Sequence, residues 1–404
     1  MSRILIALEL GRNYGHLAAC LPIAKALCRR GHVVAFALRD LRLAAEWLVP
    51  AGFPFIQSPV PGKAARLSRP PANYAEILLG EGYGDVEGLA GLAGAWCNAF
   101  RLAKPDLVLA DFAPTALFAA RLSNIPHLAT GSSFTIPPPC SPLPSIRPWE
   151  EIPESRLERA GRIVDLHLER AAAKLGAGYQ AGLGGLFGTR DLLTSFPELD
   201  CHAGRRGGNY IGPIYGLPDA PCVAAWPVRA GQRILAYLRP EIPGLPELLA
   251  ALAARDAEVL CVIPGVKPEL SRQIAGSRLR IVAQPANLQK LLVQVDLVVC
   301  YGGHGFLCEA LQAARPLLIV PHFVEQALNA RAIERLGAGI AIGTMRSREI
   351  FDGALAQLLD NPGFAEQSRI FAEQHAQFSP ARSIELAVDA VEAAIAAPVC
   401  YDRA

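Results

Sequence analysis

The sequence predicts an α/β protein built as two successive doubly wound domains. Three observations point there. Short apolar runs alternate with amphipathic segments of helical spacing in both halves of the chain. The length, 404 residues, makes a single core improbable and two domains of about 200 residues each the default. Half of the residues are hydrophobic (51%) and only 19% are charged, which suits a large buried core and excludes a disordered chain.

In the N-terminal half, Ile4–Leu8 reads as a buried strand. His16–Arg30 has helical spacing (Leu17, Leu21, Ala24, Leu27) and stops at Gly31; Val33–Leu38 is the next strand. An amphipathic helix ends near Ala103, Pro105-Asp106 turns the chain, and Leu107–Ala110 is a strand. Thr115–Ser123 is helical, and Pro126–Thr130 is another strand. Between Ile136 and Pro153 the density of proline forbids regular structure. A long helical stretch follows, interrupted by Gly176, Gly178, Gly182, Gly184 and Gly185. The proline-rich segment reads equally as a surface loop or as the wall of a binding cleft. Gly212–Gly231, with four prolines and little charge, reads as a connector. The domains expected are therefore 1–215, a linker at 216–232, 233–380, and a terminal helical segment at 381–404.

Beyond the connector the alternation restarts: Ile234–Leu238, a helix near Leu245–Ala254, Glu258–Ile263, Leu279–Val282, a helix near Leu288–Val293, and Leu297–Cys300. Then comes a glycine loop, Gly302-Gly303-His304-Gly305, a helical pattern carrying Glu309, an apolar run from Pro316 to Val320, and a polar turn with Glu325, Gln326 and Asn329. The last helix, Ala381–Ala397, has an apolar stripe (Ile384, Ala387, Val388, Val391, Ile395) that requires a packing partner.

Composition excludes several classes. A net charge of +2 gives no argument for nucleic acid. No apolar run reaches the roughly 18 residues of a membrane helix, and the N-terminal SRILIALEL reads as a strand rather than a signal peptide. Ten cysteines occur without a C-x-x-C pair. Cys20, Cys28, Cys261, Cys300 and Cys308 fall inside apolar elements, so reduced buried thiols in a cytoplasmic protein are expected, not disulfides or zinc. Arg12, Arg29, Arg30, Arg39, Arg42, Lys63, Arg66 and Arg69 make the N-terminal half locally basic. That charge is compatible with a membrane surface or an anionic acceptor, although scattered arginines ordinarily form a solvated face.

Open parallel sheets bind ligands at the carboxyl ends of their strands. Two groups of residues fall there. His16, just past the first strand, and Asp111, ending Leu107–Ala110, form a His–carboxylate pair suited to general-base work if the two strands are neighbours. Gly303 and Gly305 admit an anion to backbone N–H groups at a helix N-terminus, but glycine turns between strand and helix are also ordinary structure. Glu309 suits either the helix dipole or a ribose diol. Glu325 and Gln326 suit either sugar hydroxyls or a helix N-terminus, and Asn329 fits both readings.

Three segments carry a resemblance. GHLAACLPIAKALCRRGHVVAFA resembles the N-terminal signature of two-domain nucleotide-sugar glycosyltransferases of the UDP-glycosyltransferase superfamily. PDLVLADFAPTALFAARLSNIPHL resembles that family's strand–aspartate–helix, and Val299–Ile342 its donor signature, roughly H-G-G-x-G-[ST]-x-x-E-A-L and then P-x-x-x-[DE]-Q-x-x-N-A. The resemblance implies a GT-B fold: two facing Rossmann-like domains, an acceptor site in the first, a nucleotide sugar in the second, and a final helix crossing back to the first. It implies an inverting, metal-independent transfer from a UDP- or dTDP-sugar to a hydroxyl of a small or lipid-like acceptor, with no cofactor beyond the nucleotide sugar. By position, His16 would be the base and Asp111 its partner, Glu309 would take the ribose, Glu325 and Gln326 the sugar hydroxyls, and Gly303 and Gly305 the diphosphate. Two positions depart from the pattern. Tyr301 stands where the family has a phosphate-binding histidine, and Phe306 where it has Ser or Thr. Arg239, in Leu238-Arg239-Pro240, is the expected replacement donor, with His304 beside the loop. Those departures keep two other functions open, a nucleotide-sugar epimerase or hydrolase and a non-catalytic nucleotide-sugar binder. A dehydrogenase is disfavoured, because Gly11-x-x-x-Gly15-His16 is not G-x-G-x-x-G.

Overall fold

Among the described residues, twelve strands fall into two six-stranded sheets, and every pairing within them is parallel. The structure, a computed structural model, describes residues 1–11, 14–62, 67–202, 204–215, 226, 231–269, 278–284 and 286–397. It divides into two units: Met1–Ile214 with Pro380–Ala404, and Tyr215–Ser379. Most of the expected connector, together with Arg12, Lys63 and Arg66, lies outside the described residues.

The first unit contains β1 (Arg3–Leu8), β2 (Val33–Leu38), β3 (Phe55–Gln57), β4 (Leu107–Asp111), β5 (His127–Gly131) and β6 (Leu192–Leu193). Their order is β3-β2-β1-β4-β5-β6. Its main helices are α1 (Tyr14–Arg29), α2 (Val86–Ala103), α3 (Pro114–Leu122) and α4 (Glu154–Lys174). Successive residues of a strand face opposite sides, so a sheet covered on both faces needs continuous apolar strands. Leu5, Ala7, Val108 and Ala110 join one core, whereas Ile4, Ile6, Leu8, Leu107 and Leu109 join the other. The final helix, Pro380–Ala396, buries Ala387, Val388 and Val391 in that second core and lies against α1. Arg30 donates to Asp389 and Glu392 on it, at 2.7 Å each.

In the second unit β7 (Gln232–Tyr237), β8 (Ala257–Val262), β9 (Leu279–Val282), β10 (Leu297–Cys300), β11 (Leu317–Ile319) and β12 (Gly339–Ala341) take the order β12-β11-β10-β7-β8-β9. The chain runs outward from β7 to β9 and then from β10 to β12 on the other side. The strand order therefore reverses between β7 and β10, as it does between β1 and β4 in the first unit. Open parallel sheets bind ligands at such reversals, where a crevice opens beyond the carboxyl ends of the strands.

One expectation needs correction. Cys28 is exposed, near the end of α1, whereas Cys20, Cys261, Cys300 and Cys308 are buried. Of the basic residues of the first half, Arg30 pairs with Asp389 and Glu392, Arg39 with Glu81, and Arg42 with Asp40. Among the described residues no helix is long and apolar enough to cross a membrane.

Candidate active site

At the reversal of the first sheet, β1 and β4 run side by side with Leu8 opposite Asp111. Asp111 is the last residue of β4, and α1 begins just past β1, so His16 enters the site from its first turn. The imidazole Nδ1 lies 2.9 Å from Asp111 Oδ1. The carboxylate is 3% exposed and the imidazole 22%. A buried carboxylate on Nδ1 fixes the neutral tautomer with its proton there and leaves Nε2 as the basic nitrogen. Cys20, one turn further along α1, directs its thiol to Asp111 Oδ2 at 3.6 Å. Burial, and then the Asp111 charge, pushes the Cys20 thiol well up, so it is a neutral donor and not a nucleophile.

The turn after Asp111 carries aromatic side chains. The Phe112 ring stacks beside His16 with centroids 6.0 Å apart, and Tyr74 and Phe134 lie at 6.1 and 6.0 Å from Phe112. Phe112 has φ +47°, a left-handed conformation rare for a bulky residue.

The sequence reading missed Glu9. This residue follows β1, is 2% exposed, and accepts hydrogen bonds from Thr115 N at 2.9 Å and from Thr115 Oγ1 at 2.5 Å. Burial raises its pKa to about 7, opposed by those hydrogen bonds. In the sequence Glu9 is indistinguishable from the first polar residue of a loop.

In the second unit the loop after β10 leads into α5 (His304–Gln312). Gly302 has φ +86°, and a Cβ there would stand 2.9 Å from Ile319 Cγ2. Gly303 is the N-cap residue of the helix, and a Cβ on it would strike the Tyr301 ring at 2.9 Å. At Gly305 the nearest atom would be Tyr215 Cβ at 3.6 Å, so packing does not demand that glycine.

Tyr301 and Phe306 both pack on Tyr237 at the end of β7, with centroids 5.7 and 5.0 Å apart. The Arg239 guanidinium lies over the Tyr301 ring at 5.1 Å. The β7–β10 reversal therefore brings together an arginine and the glycine loop. The topology thus joins Tyr237 and Arg239 to Tyr301 and Phe306, which lie 62 to 69 positions further along the sequence.

Glu309 is buried, and among the described residues its Oε1 has no hydrogen-bond partner. Burial raises its pKa to about 7, against the lowering effect of a hydrogen bond from Gln289. An unsatisfied buried carboxyl oxygen costs about 1–3 kcal/mol and calls for a partner. Gln326 Oε1 accepts from His322 N and Phe323 N, at 2.7 and 3.1 Å. Its amide oxygen is thus committed to the N-terminus of α6 (Val324–Arg335). Asn329 Nδ2 donates to Gly302 O at 2.9 Å and so braces the glycine loop. Glu325 is half-buried in the first turn of α6. His304, at the first position of α5, lies with Nε2 3.6 Å from Cys308 Sγ. Among the described residues no group of three or more His, Cys, Asp or Glu side chains is placed to hold a metal ion.

Residues 246–391 match the model of the erythromycin biosynthesis protein CIII-like C-terminal domain. The chain is 28% identical over 292 residues to the PGL/p-HBAD biosynthesis glycosyltransferase of Mycobacterium tuberculosis (strain ATCC 25177 / H37Ra), covering 67% of this chain and 66% of that protein. It is 25% identical, again over 292 residues, to the PGL/p-HBAD biosynthesis rhamnosyltransferase of Mycobacterium bovis (strain BCG / Pasteur 1173P2), covering 67% of this chain and 63% of that one. The chain spans about two thirds of the length of these curated relatives. Among solved structures it is similar to the spinosyn rhamnosyltransferase SpnG, with a TM-score of 0.67 at 20% identity over 95% of this chain and 100% of that one. It is also similar to the glycosyltransferase VinC in complex with dTDP, with a TM-score of 0.67 at 17% identity over 97% and 100%. At these identities the structural likeness is one of fold, and the fold is GT-B.

Proposed function

We propose that this chain, which has the two-domain GT-B fold, is a glycosyltransferase that moves a sugar from a nucleoside diphosphate sugar to a hydroxyl group of an acceptor. The observation that carries the reading is the His16–Asp111 hydrogen bond at the reversal of the first sheet. Its complement in the second unit is the glycine loop at the head of α5 with the partly unsatisfied Glu309. The curated relatives are named as glycosyltransferases and a rhamnosyltransferase, and VinC is described with dTDP bound. These names favour a sugar nucleotide, such as a dTDP- or UDP-sugar, as donor.

In this reading His16 Nε2 takes the proton of the acceptor hydroxyl as its oxygen attacks the anomeric carbon. The bond from that carbon to the diphosphate oxygen breaks, and the nucleoside diphosphate leaves with the bonding pair. Asp111 holds the imidazole tautomer and offsets the charge it gains. One displacement inverts the anomeric centre. The N–H groups at the start of α5 and the Arg239 guanidinium meet the charge that grows on the leaving diphosphate. Glu309 accepts the ribose hydroxyls, which supplies the partner its Oε1 lacks. Asn329 braces the loop through Gly302, and Glu325 and the Gln326 amide serve the sugar. The rings of Phe112, Tyr74 and Phe134 favour an apolar acceptor.

The test is a panel of nucleotide sugars and free nucleoside diphosphates scored by thermal shift on the wild type and on His16→Ala. Both proteins are expected to be stabilised by the same nucleotides, and only the wild type to turn the donor over. Stabilisation by no nucleotide in the panel would refute the proposal.

A further inference from the structure

We infer that Glu9 is a positioning residue: it caps α3 from the neighbouring strand and so holds Asp111, and through it the His16 base, in register. The inference rests on the transferase reading only for what His16 does, not for how it is held. The N-cap residue of α3 is Ala113, which offers no side-chain acceptor. The first N–H groups of a helix need one. Glu9 supplies it across the sheet, taking Thr115 N at 2.9 Å and Ala116 N at 3.4 Å on Oε2, and the Thr115 hydroxyl on Oε1. Because that hydroxyl donates to Glu9, the Tyr83 hydroxyl, 3.0 Å away, donates to it in turn.

The residue after Glu9 completes the clamp. Leu10 N donates to Phe112 O at 2.9 Å. The three-residue joint Asp111-Phe112-Ala113 between β4 and α3 is therefore gripped on both sides by the end of β1. The joint needs gripping, because Phe112 sits at φ +47°, where a bulky side chain is disfavoured and persists only when its surroundings over-determine it. Relaxation of Phe112 would rotate the end of β4 and with it the Asp111 carboxylate, 2.9 Å from His16. It would also displace the Phe112 ring from beside the imidazole.

An acceptor is what this role requires, not a charge. A glutamine would offer its carbonyl oxygen to Thr115 N and Ala116 N in place of Oε2, and its amide N–H to the Thr115 hydroxyl in place of Oε1, with the direction of that one bond reversed.

The experiment compares Glu9→Ala and Glu9→Gln with the wild-type chain in two readouts. The first, independent of turnover, is the imidazole Nδ1–H proton resonance of His16, assigned with His16→Ala. The second is kcat against the KM for the nucleotide sugar. Glu9→Ala is expected to lose the resonance and about 10- to 100-fold in kcat, the usual penalty of a displaced catalytic group, with the donor KM within about twofold. Glu9→Gln is expected to restore both. If Glu9→Ala does not fold, Thr115→Val, which removes the hydroxyl shared by Glu9 and Tyr83 and leaves Glu9 Oε1 without its donor, is expected to shift both readouts in the same sense. A wild-type resonance in whichever of these two variants folds would overturn the inference, and so would a Glu9→Gln variant as impaired as Glu9→Ala. If the wild type itself shows no sugar transfer, the transferase reading fails, and the resonance alone still decides the role of Glu9.

Discussion

Replacing Glu309 by Gln should flatten the pH dependence of stability of the wild-type chain in the neutral range. The buried carboxyl is raised from its ordinary value of 4.5 to about 7, mainly by burial. The native state therefore favours the protonated form. The sign follows: the stabilisation associated with this group is fully present below pH 4.5 and is lost as pH rises through 7. At about 1.4 kcal/mol per tenfold, the shift amounts to about 3 kcal/mol, of which about 2 kcal/mol falls between pH 5 and pH 8.5. Glu9 and Asp191, raised by burial to about 7 and about 6, change in the same direction. The difference between wild type and Glu309→Gln isolates the one group. Urea unfolding at the two pH values measures it. The wild type should lose about 2 kcal/mol more than the variant between them. Ribose hydroxyls that donate to the carboxylate favour its ionised form, so nucleoside affinity should rise with pH through 7 in the wild type and stay level in the variant. Equal pH dependence in the two proteins would refute the burial argument.

Other substitutions probe neighbouring parts of the site. Gly302→Ala places a Cβ 2.9 Å from Ile319 Cγ2 at φ +86°; strain and overpacking together should cost about 2–4 kcal/mol, read as a lower urea midpoint, and an unchanged midpoint would contradict the loop geometry. Arg239→Ala should weaken nucleoside diphosphate binding about 10- to 100-fold, the worth of one charge-assisted hydrogen bond, while leaving the unphosphorylated nucleoside unaffected by calorimetry. An equal loss for both ligands would assign Arg239 to packing on Tyr301. Asn329→Ala frees the Gly302 carbonyl and should destabilise the chain by about 1–3 kcal/mol, measured by urea unfolding; stability equal to the wild type would show that the brace is dispensable.

The alternation of strands and helices was legible because strands covered on both faces must be continuous apolar runs, and Leu107–Asp111 and Val33–Leu38 are of that kind. The pairing of His16 with Asp111 was legible for the same reason, since Asp111 ends such a run and His16 opens the helix that follows another. Glu9 was not legible, because its partner is the N-terminus of α3, more than 100 residues away. No local pattern announces a cap supplied from another strand. The Tyr237–Tyr301–Phe306 cluster was half legible. Comparison with the donor signature exposed Tyr301 and Phe306 as departures, but only the adjacency of β7 and β10 shows that they share a ring, Tyr237, and that Arg239 lies over one of them. For Gln326 the ordinary helix-cap role is the one its oxygen performs, since capping is decided by local backbone geometry that the sequence signature shares with sugar binding.

The most direct test of the transferase account is the rate of nucleoside diphosphate release from a saturating nucleotide sugar by the wild type and by His16→Ala. A general base contributes about 10²–10⁴-fold, so release should fall by at least about 100-fold in the variant while nucleotide binding is retained. Release at the wild-type rate without the His16 imidazole would contradict the account.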